Sequence, residues 1–262
     1  MFYLTAWRNY GDNNALKIAE IDMQKPLIVI TGASSGIGEA TAKVFAAQGY
    51  PLLLLARRIE KLKALNLPNT ICAALDVTDR ETFVKTIREA EEKFGEADAL
   101  INNAGVMLLG TVSQQDPAEW QRMMDVNVTG VLNGIHAVLP KMVARQSGTI
   151  INISSVAGRK TFPNHVVYCG TKFAVHAISE NLREEVASKN VRVITIAPGA
   201  VETELLGHTT DTAIKSGYES WKKDMGGVLS AESIAQTILF AYQQPQSVCI
   251  REIVLTATKQ EP

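Results

Sequence analysis

Cysteine is scarce in this chain: Cys72, Cys169 and Cys249 are the only three in 262 residues. They are far apart, odd in number and form no CxxC pair. That argues against a disulfide framework or a thiolate zinc site and fits a reducing compartment. Histidine is almost as sparse. His136, His165, His176 and His208 show no metal-ligand spacing with a carboxylate or cysteine, so no metal is expected. Neither sign of charge dominates, with 26 Lys and Arg against 27 Asp and Glu and a net charge of -1. Nucleic-acid and membrane surfaces usually need a basic excess, so neither partner is expected. No apolar run approaches the roughly 20 residues of a membrane helix. The first residues lack an apolar core followed by small residues, so no signal peptide is expected and cytoplasm is the default.

What is present is a composition able to build a sizeable core, 46% hydrophobic and 20% charged. The length suits one large α/β domain better than two ordinary ones. Residues 1–22 are polar and mixed, with Phe2, Tyr3 and Trp7 near the start. They read as an extension of unreadable role, and the ordinary domain is expected over residues 23–262.

From residue 27 the pattern alternates. Short continuous apolar runs at 27–30, 52–55, 70–75, 99–101, 149–153 and 191–196 read as strands buried on both faces, as in a parallel sheet. Residues 252–255 complete the set. Helical spacing separates them at 37–48, 80–94, 120–145, 168–188 and 231–242. This alternation predicts a doubly wound, Rossmann-type α/β fold, one parallel sheet with helices on both faces. The only long irregular candidate is 199–227. A loop of that length is often a lid, and 200–227 is expected to cover a substrate.

The turn after the first strand reads Thr31-Gly-Ala-Ser-Ser-Gly-Ile-Gly38. Gly32, Gly36 and Gly38 permit a tight turn and close approach of a phosphate to the backbone. The following helix would offer unpaired N–H groups and a positive dipole end to a pyrophosphate. The spacing is Gly-x-x-x-Gly-x-Gly. In this form, and with Asp76, Asn102-Asn-Ala-Gly105, Asn127, Ser155, Tyr168-x-x-x-Lys172 and Pro198-Gly199 following in order, the chain resembles the short-chain dehydrogenase/reductase family from about residue 27 to 255. The resemblance implies an oxidoreductase acting on CH–OH groups with a nicotinamide dinucleotide. The turn residues Gly32, Ser34, Ser35, Gly36, Ile37 and Gly38 would hold its phosphates.

An acid at the end of the second strand would favour NAD by binding the ribose 2′-hydroxyl. Aligned with the family, Ala56 takes that place and Arg57 follows, with Arg58 next. Arginine can fork onto a phosphate or stack on adenine, so NADP(H) is expected, with Arg57 the main contact. Asp76 and Val77 resemble the family's adenine contact; the other reading of Asp76 is an ordinary helix cap. Asn103, Ala104 and Gly105 either line the cofactor cleft or simply brace the sheet. Pro198, Gly199, Val201 and Thr203 follow the sixth strand at the end where this architecture binds ligands. Thr203 matches a contact to the nicotinamide carboxamide.

Tyr168 and Lys172 are four apart and so share a helix face. A free tyrosine, with a pKa of about 10, is too weak an acid for base chemistry at neutral pH. A nearby ammonium and a positive nicotinamide ring should draw it down, making Tyr168 the catalytic acid/base. The resemblance also implies that Lys172 binds the nicotinamide ribose. It implies that Asn127 holds a water linking Lys172 to solvent. The family places its serine thirteen positions before the tyrosine, which selects Ser155 over Ser154 to hold the substrate oxygen. The ending, Ile250 to Leu255 and then Thr258-Lys-Gln260, is similar to reductases of short 3-hydroxy acids such as serine or allo-threonine. A small alcohol or carbonyl substrate is therefore expected. A homo-oligomer, dimer or tetramer, is implied through helices 120–145 and 168–188, whose apolar faces could equally be used up by the sheet. The alternative from another class is a catalytically silent NADP(H)-binding sensor.

Overall fold

In a computed structural model, the structure describes residues 25–260. The extension expected at 1–22 lies outside the described residues. Seven parallel strands form one sheet in the order β3-β2-β1-β4-β5-β6-β7. They are β1 (Leu27–Thr31), β2 (Leu52–Ala56), β3 (Thr70–Ala74), β4 (Ala97–Asn102), β5 (Gly148–Ile153), β6 (Val191–Pro198) and β7 (Glu252–Leu255). Strand order reverses between β1 and β4, which are hydrogen-bonded neighbours. At such a switch point the crossovers diverge and leave a crevice beyond the carboxyl ends of the strands.

The continuous apolar runs follow from the two helical layers. Side chains alternate across a strand, so both faces of a doubly covered sheet must be apolar. Ile28, Ile30, Leu52 and Leu54 pack in one core with Phe45, Ile234 and Ile238. These last three lie on α1 (Gly36–Ala47) and α8 (Ala231–Tyr242). Leu27, Val29, Leu53 and Leu55 face the other way. They meet Phe83 and Ile87 of α3 (Arg80–Phe94), Val131 and Ile135 of α5 (Gly130–Arg145) and Val175 and Leu182 of α6 (Val166–Val186). A two-turn helix, α2 (Ile59–Ala64), links β2 to β3.

Two expected elements differ in detail. The single helix expected at 120–145 is instead α4 (Pro117–Met124), a π turn over Asp125–Thr129, and then α5. The segment 199–227, expected to be irregular, contains a short 3₁₀ turn, Glu204–His208, and a thirteen-residue helix, α7 (Thr212–Asp224). Asp211 caps α7 by accepting from the Ala213 and Ile214 N–H groups.

Candidate active site

The carboxyl ends of β1, β4, β5 and β6 open into one cavity of about 720 Å³. At its floor the glycine turn bends with Gly32 and Gly36 at φ of +64° and +53°, where a side chain would be strained. A Cβ on Gly38 would lie 2.3 Å from the Gly32 carbonyl oxygen and 2.5 Å from Asn103 Nδ2. This glycine therefore sets how closely α1 approaches the turn. Asn103 ties the turn to β4: its Nδ2 donates to the Thr31 and Gly32 carbonyls at 3.0 and 3.2 Å. Thr31 Oγ1 accepts from the backbone N–H of Asn103 and of Ala104, both at 3.0 Å. Asn103 thus braces the sheet and also lines the cavity.

Ser34, Ser35, Ile37, Arg57, Arg58, Asp76, Val77, Ala104 and Gly105 line the same cavity, as do Pro198, Gly199, Val201 and Thr203. Gly38 is buried beneath them. Arg58, rather than Arg57, is tied to the turn. Its Nη2 donates to Ser35 Oγ at 2.9 Å and Ser34 Oγ at 3.2 Å. Asp76 does not cap α3; Asp79 does, accepting from the Thr82 N–H at 3.0 Å. Asp76 instead closes a local turn by accepting from Thr78 N and Oγ1.

Tyr168 and Lys172 are both buried on the inner face of α6, with Lys172 Nζ 5.8 Å from the tyrosine ring centroid. The Ser155 side chain hydrogen-bonds Tyr168. Ser154 turns away, its Oγ donating to the Lys172 carbonyl at 3.1 Å and lying 2.8 Å from His176 Nδ1. Lys172 Nζ donates to the Ile153 carbonyl at 2.9 Å. Asn127 sits in the π turn and is almost fully buried. Its Oδ1 accepts from Val106 N at 2.8 Å, and its Nδ2 donates to Val106 O at 2.9 Å and Thr171 Oγ1 at 3.1 Å. A Cβ on Gly105 would stand 3.3 Å from Asn127 Oδ1 and 3.9 Å from Lys172 Nζ. The bare glycine keeps open the gap between those two side chains.

The expected lowering of the Tyr168 pKa needs a positive nicotinamide ring as well as the Lys172 ammonium. Among the protein's own groups, burial, seconded by the Tyr218 phenol, pushes it well above the ordinary value, and only the Ser155 hydrogen bond opposes this. Burial also lowers the Lys172 ammonium to about 8. The reason is desolvation: an interior of low dielectric penalises phenolate and ammonium alike. The protein groups alone therefore hold Tyr168 as a phenol.

Above Tyr168 the wall is aromatic and apolar. His165 lies 6.1 Å from Tyr168 and 6.2 Å from Tyr218 between ring centroids, and Tyr218 lies 5.1 Å from Trp221. Phe162 stacks obliquely on His165 at 5.7 Å. Burial lowers the His165 pKa, against a hydrogen bond to the Pro163 carbonyl that raises it. That carbonyl can only accept, so Nδ1 carries the proton. Tyr218 and Trp221 come from α7, so the segment expected as a lid supplies part of this wall.

Residues 26–213 match the family model described as short chain dehydrogenase. An uncharacterized oxidoreductase of Listeria monocytogenes is 43% identical over 246 residues, covering 91% of this chain and 98% of the relative. The chain belongs to the short-chain dehydrogenase family. Other members are similar in more specific ways. A serine dehydrogenase in its closed form, complexed with NADP+, superposes with a TM-score of 0.83 at 30% identity, over 90% of this chain and 96% of that one. An alcohol dehydrogenase of the archaeon Thermococcus sibiricus, complexed with 5-hydroxy-NADP, gives 0.80 at 27% identity, over 91% and 99%. A glycine betaine reductase of Emericella nidulans is 40% identical over 235 residues, which are 87% of this chain and 18% of that protein.

Three groups at the site of this short-chain dehydrogenase escape a reading of its sequence. His176 stands one turn after Lys172, where its Nε2 donates to Glu252 on β7 at 3.0 Å, and Arg159 holds the other carboxylate oxygen at 2.9 Å. This chain of contacts fixes Ser154, and through it the end of β5, against α6. Gln260 reaches back from the end of the described chain, its Oε1 accepting from Ala200 N at 2.9 Å. A Cβ on Gly199 would fall 2.3 Å from that oxygen. Glu204 pairs with Arg58 and Lys61 at the cavity's outer edge. Two of them carried a trace in the sequence: Gln260 as part of an ending similar to hydroxy-acid reductases, and Glu204 within the segment expected to cover a substrate.

Proposed function

We propose that this short-chain dehydrogenase transfers hydride between NADP(H) and a small alcohol or carbonyl compound, with Tyr168 as acid/base. One observation carries the reading: Ser155, Tyr168 and Lys172 converge in one cavity with a glycine turn whose positive φ angles and close packing on neighbouring residues only glycine allows. The residues fit that coenzyme. The turn Gly32 to Gly38 and the start of α1 would take its pyrophosphate. Arg57, Arg58, Ser34 and Ser35 would take the 2′-phosphate. Asp76 and Val77 would take the adenine, and Asn103 to Gly105 with Pro198 to Thr203 the nicotinamide half. NADP(H) supplies or accepts the hydride when bound.

In the reducing direction Tyr168 Oη gives its proton to the carbonyl oxygen, and in the oxidising direction it takes the alcohol proton. Ser155 donates a hydrogen bond to the same oxygen and steadies its developing charge. Burial favours the protonated phenol, which suits reduction. Lys172 keeps a cation near the ring, and Asn127 holds the Val106 backbone and Thr171 around it.

The likeness to a serine dehydrogenase supports a short 3-hydroxy acid as substrate. A second substrate class is favoured by the aromatic wall of Phe162, His165, Tyr218 and Trp221 together with the likeness to a glycine betaine reductase. That class is an aldehyde bearing a quaternary ammonium, a cation that aromatic faces bind well. Within one oxidoreductase domain over 23–262, residues 200–227 act as the substrate lid. Exposed Leu132 on α5 and Phe173 on α6 support a homo-oligomer, dimer or tetramer, and a cytoplasmic setting completes the proposal.

A spectrophotometric panel tests it. NADPH and NADH are each followed with short 3-keto acids, apolar ketones and a trimethylammonium aldehyde. Turnover with NADPH on at least one class is expected. Tight NADPH binding without turnover on any class would favour a silent sensor instead.

A further inference from the structure

Glu204 opens the segment that roofs the substrate cavity, directly after Thr203. Its carboxylate spans two cations: Arg58 Nη1 donates to Oε2 and Lys61 Nζ to Oε1, both at 2.8 Å. The far side of the Arg58 guanidinium is held by Ser34 and Ser35 of the glycine turn. Two cations thus meet on one anionic group near the end of β2, and two hydroxyls hold one of those cations from its other side. Lys61, on α2, belongs to no motif read in the sequence. The two cations hold the Glu204 carboxyl down to about 2, so it remains an anion throughout the physiological range.

We propose that Glu204 is an internal occupant of the coenzyme's 2′-phosphate subsite, that Lys61 is part of that subsite, and that the phosphate displaces Glu204 when NADP(H) binds. This rests on the reading of NADP(H) as the coenzyme. A phosphate monoester offers three acceptor oxygens and up to two negative charges where a carboxylate offers two oxygens and one charge. The pairs it must break are about half exposed, and exposed ion pairs are individually weak. NAD(H), lacking the phosphate, has nothing to compete with Glu204 for these cations. Coenzyme identity is thereby coupled to the lid: losing Arg58 and Lys61 releases the first turn of the segment that leads into α7, which carries Tyr218 and Trp221. Glu204 lowers affinity for the phosphorylated coenzyme and tethers the lid until that coenzyme arrives.

The test uses the full chain and two probes, adenosine 2′,5′-bisphosphate and 5′-AMP, titrated calorimetrically into wild type, Glu204→Gln and Lys61→Met. Wild type should prefer the bisphosphate. Glu204→Gln should bind it about threefold to tenfold more tightly, equivalent to roughly 0.7–1.4 kcal/mol, with 5′-AMP affinity unchanged. Lys61→Met should bind the bisphosphate more weakly. In wild type, the bisphosphate and not 5′-AMP should speed amide exchange at residues 204–208. If wild type prefers the bisphosphate but Glu204→Gln gains nothing, the displacement is overturned and the coenzyme reading stands. Weakened 5′-AMP binding in Glu204→Gln would also overturn it, by making Glu204 a nucleotide contact. If wild type does not distinguish the probes, both readings fall.

Discussion

Ser154 and Ser155 follow β5 side by side, and they serve different neighbours. Ser155 reaches the Tyr168 hydroxyl, whereas Ser154 is spent on the Lys172 carbonyl and His176. The family's spacing to the tyrosine points to Ser155, and the two side chains part because an extended chain sends adjacent side chains to opposite sides. Ser155→Ala should lower kcat by about 10²–10³-fold, the usual cost of losing one donor to a developing oxyanion. Ser154→Ala should cost less turnover. Steady-state kinetics on the same substrate checks the order, and a larger loss in Ser154→Ala would reverse the assignment. His176 was not legible in the same way. Its partners Ser154 and Glu252 are 22 and 76 residues away, and no local pattern announces a bridge between a strand end and a distant strand. The burial around Tyr168 was not legible for a related reason. Four-residue spacing places Lys172 near Tyr168, but only the packed structure shows how thoroughly both are desolvated.

At the level of elements, strands were the most readable. A strand covered on both faces leaves an uninterrupted apolar run, and β1, β2, β5 and β6 are buried along their whole lengths. Helix α7 was hidden. Ile214, Tyr218 and Trp221 do recur at helical spacing, but Gly217 interrupts them and no residue of the helix is fully buried. The π turn was hidden too, since one wide turn barely alters the apolar period. Asn127 hinted at it, as an asparagine within a helical run wants a reason, and the widened turn buries its amide against Val106 and Thr171. The glycine turn was legible because its geometry leaves few alternatives. Gly38→Ala would force a Cβ to within 2.3 Å of the Gly32 carbonyl, so α1 must retreat from β1. The variant should lose at least about tenfold in NADPH affinity and about 1–3 kcal/mol of stability, the usual range for overpacking. Calorimetric titration and denaturant unfolding measure the two.

Across the whole molecule, the same burial that shapes the site shapes its stability. The pKa of the Lys172 ammonium falls from 10.5 to about 8 on folding. Below pH 8 it is protonated in both states, and the folded state carries the full desolvation penalty. Between about 8 and 10.5 the unfolded chain binds more protons than the folded one, so stability from this group rises with pH. Relative to Lys172→Met, wild type should therefore gain about 3 kcal/mol across that window, since each pH unit within it contributes roughly 1.4 kcal/mol. Urea unfolding of both proteins at pH 7 and 10.5 measures the double difference, and a constant difference would mean that Lys172 is not desolvated. The other property of the whole molecule is chemical. NADPH binding and NADPH turnover are compared in wild type and Tyr168→Phe, on whichever carbonyl substrate wild type reduces. Tyr168→Phe should bind NADPH within about threefold of wild type and lose turnover by at least about 10²-fold. Turnover within tenfold of wild type would show that the proton comes from elsewhere and that Tyr168 is not the acid/base.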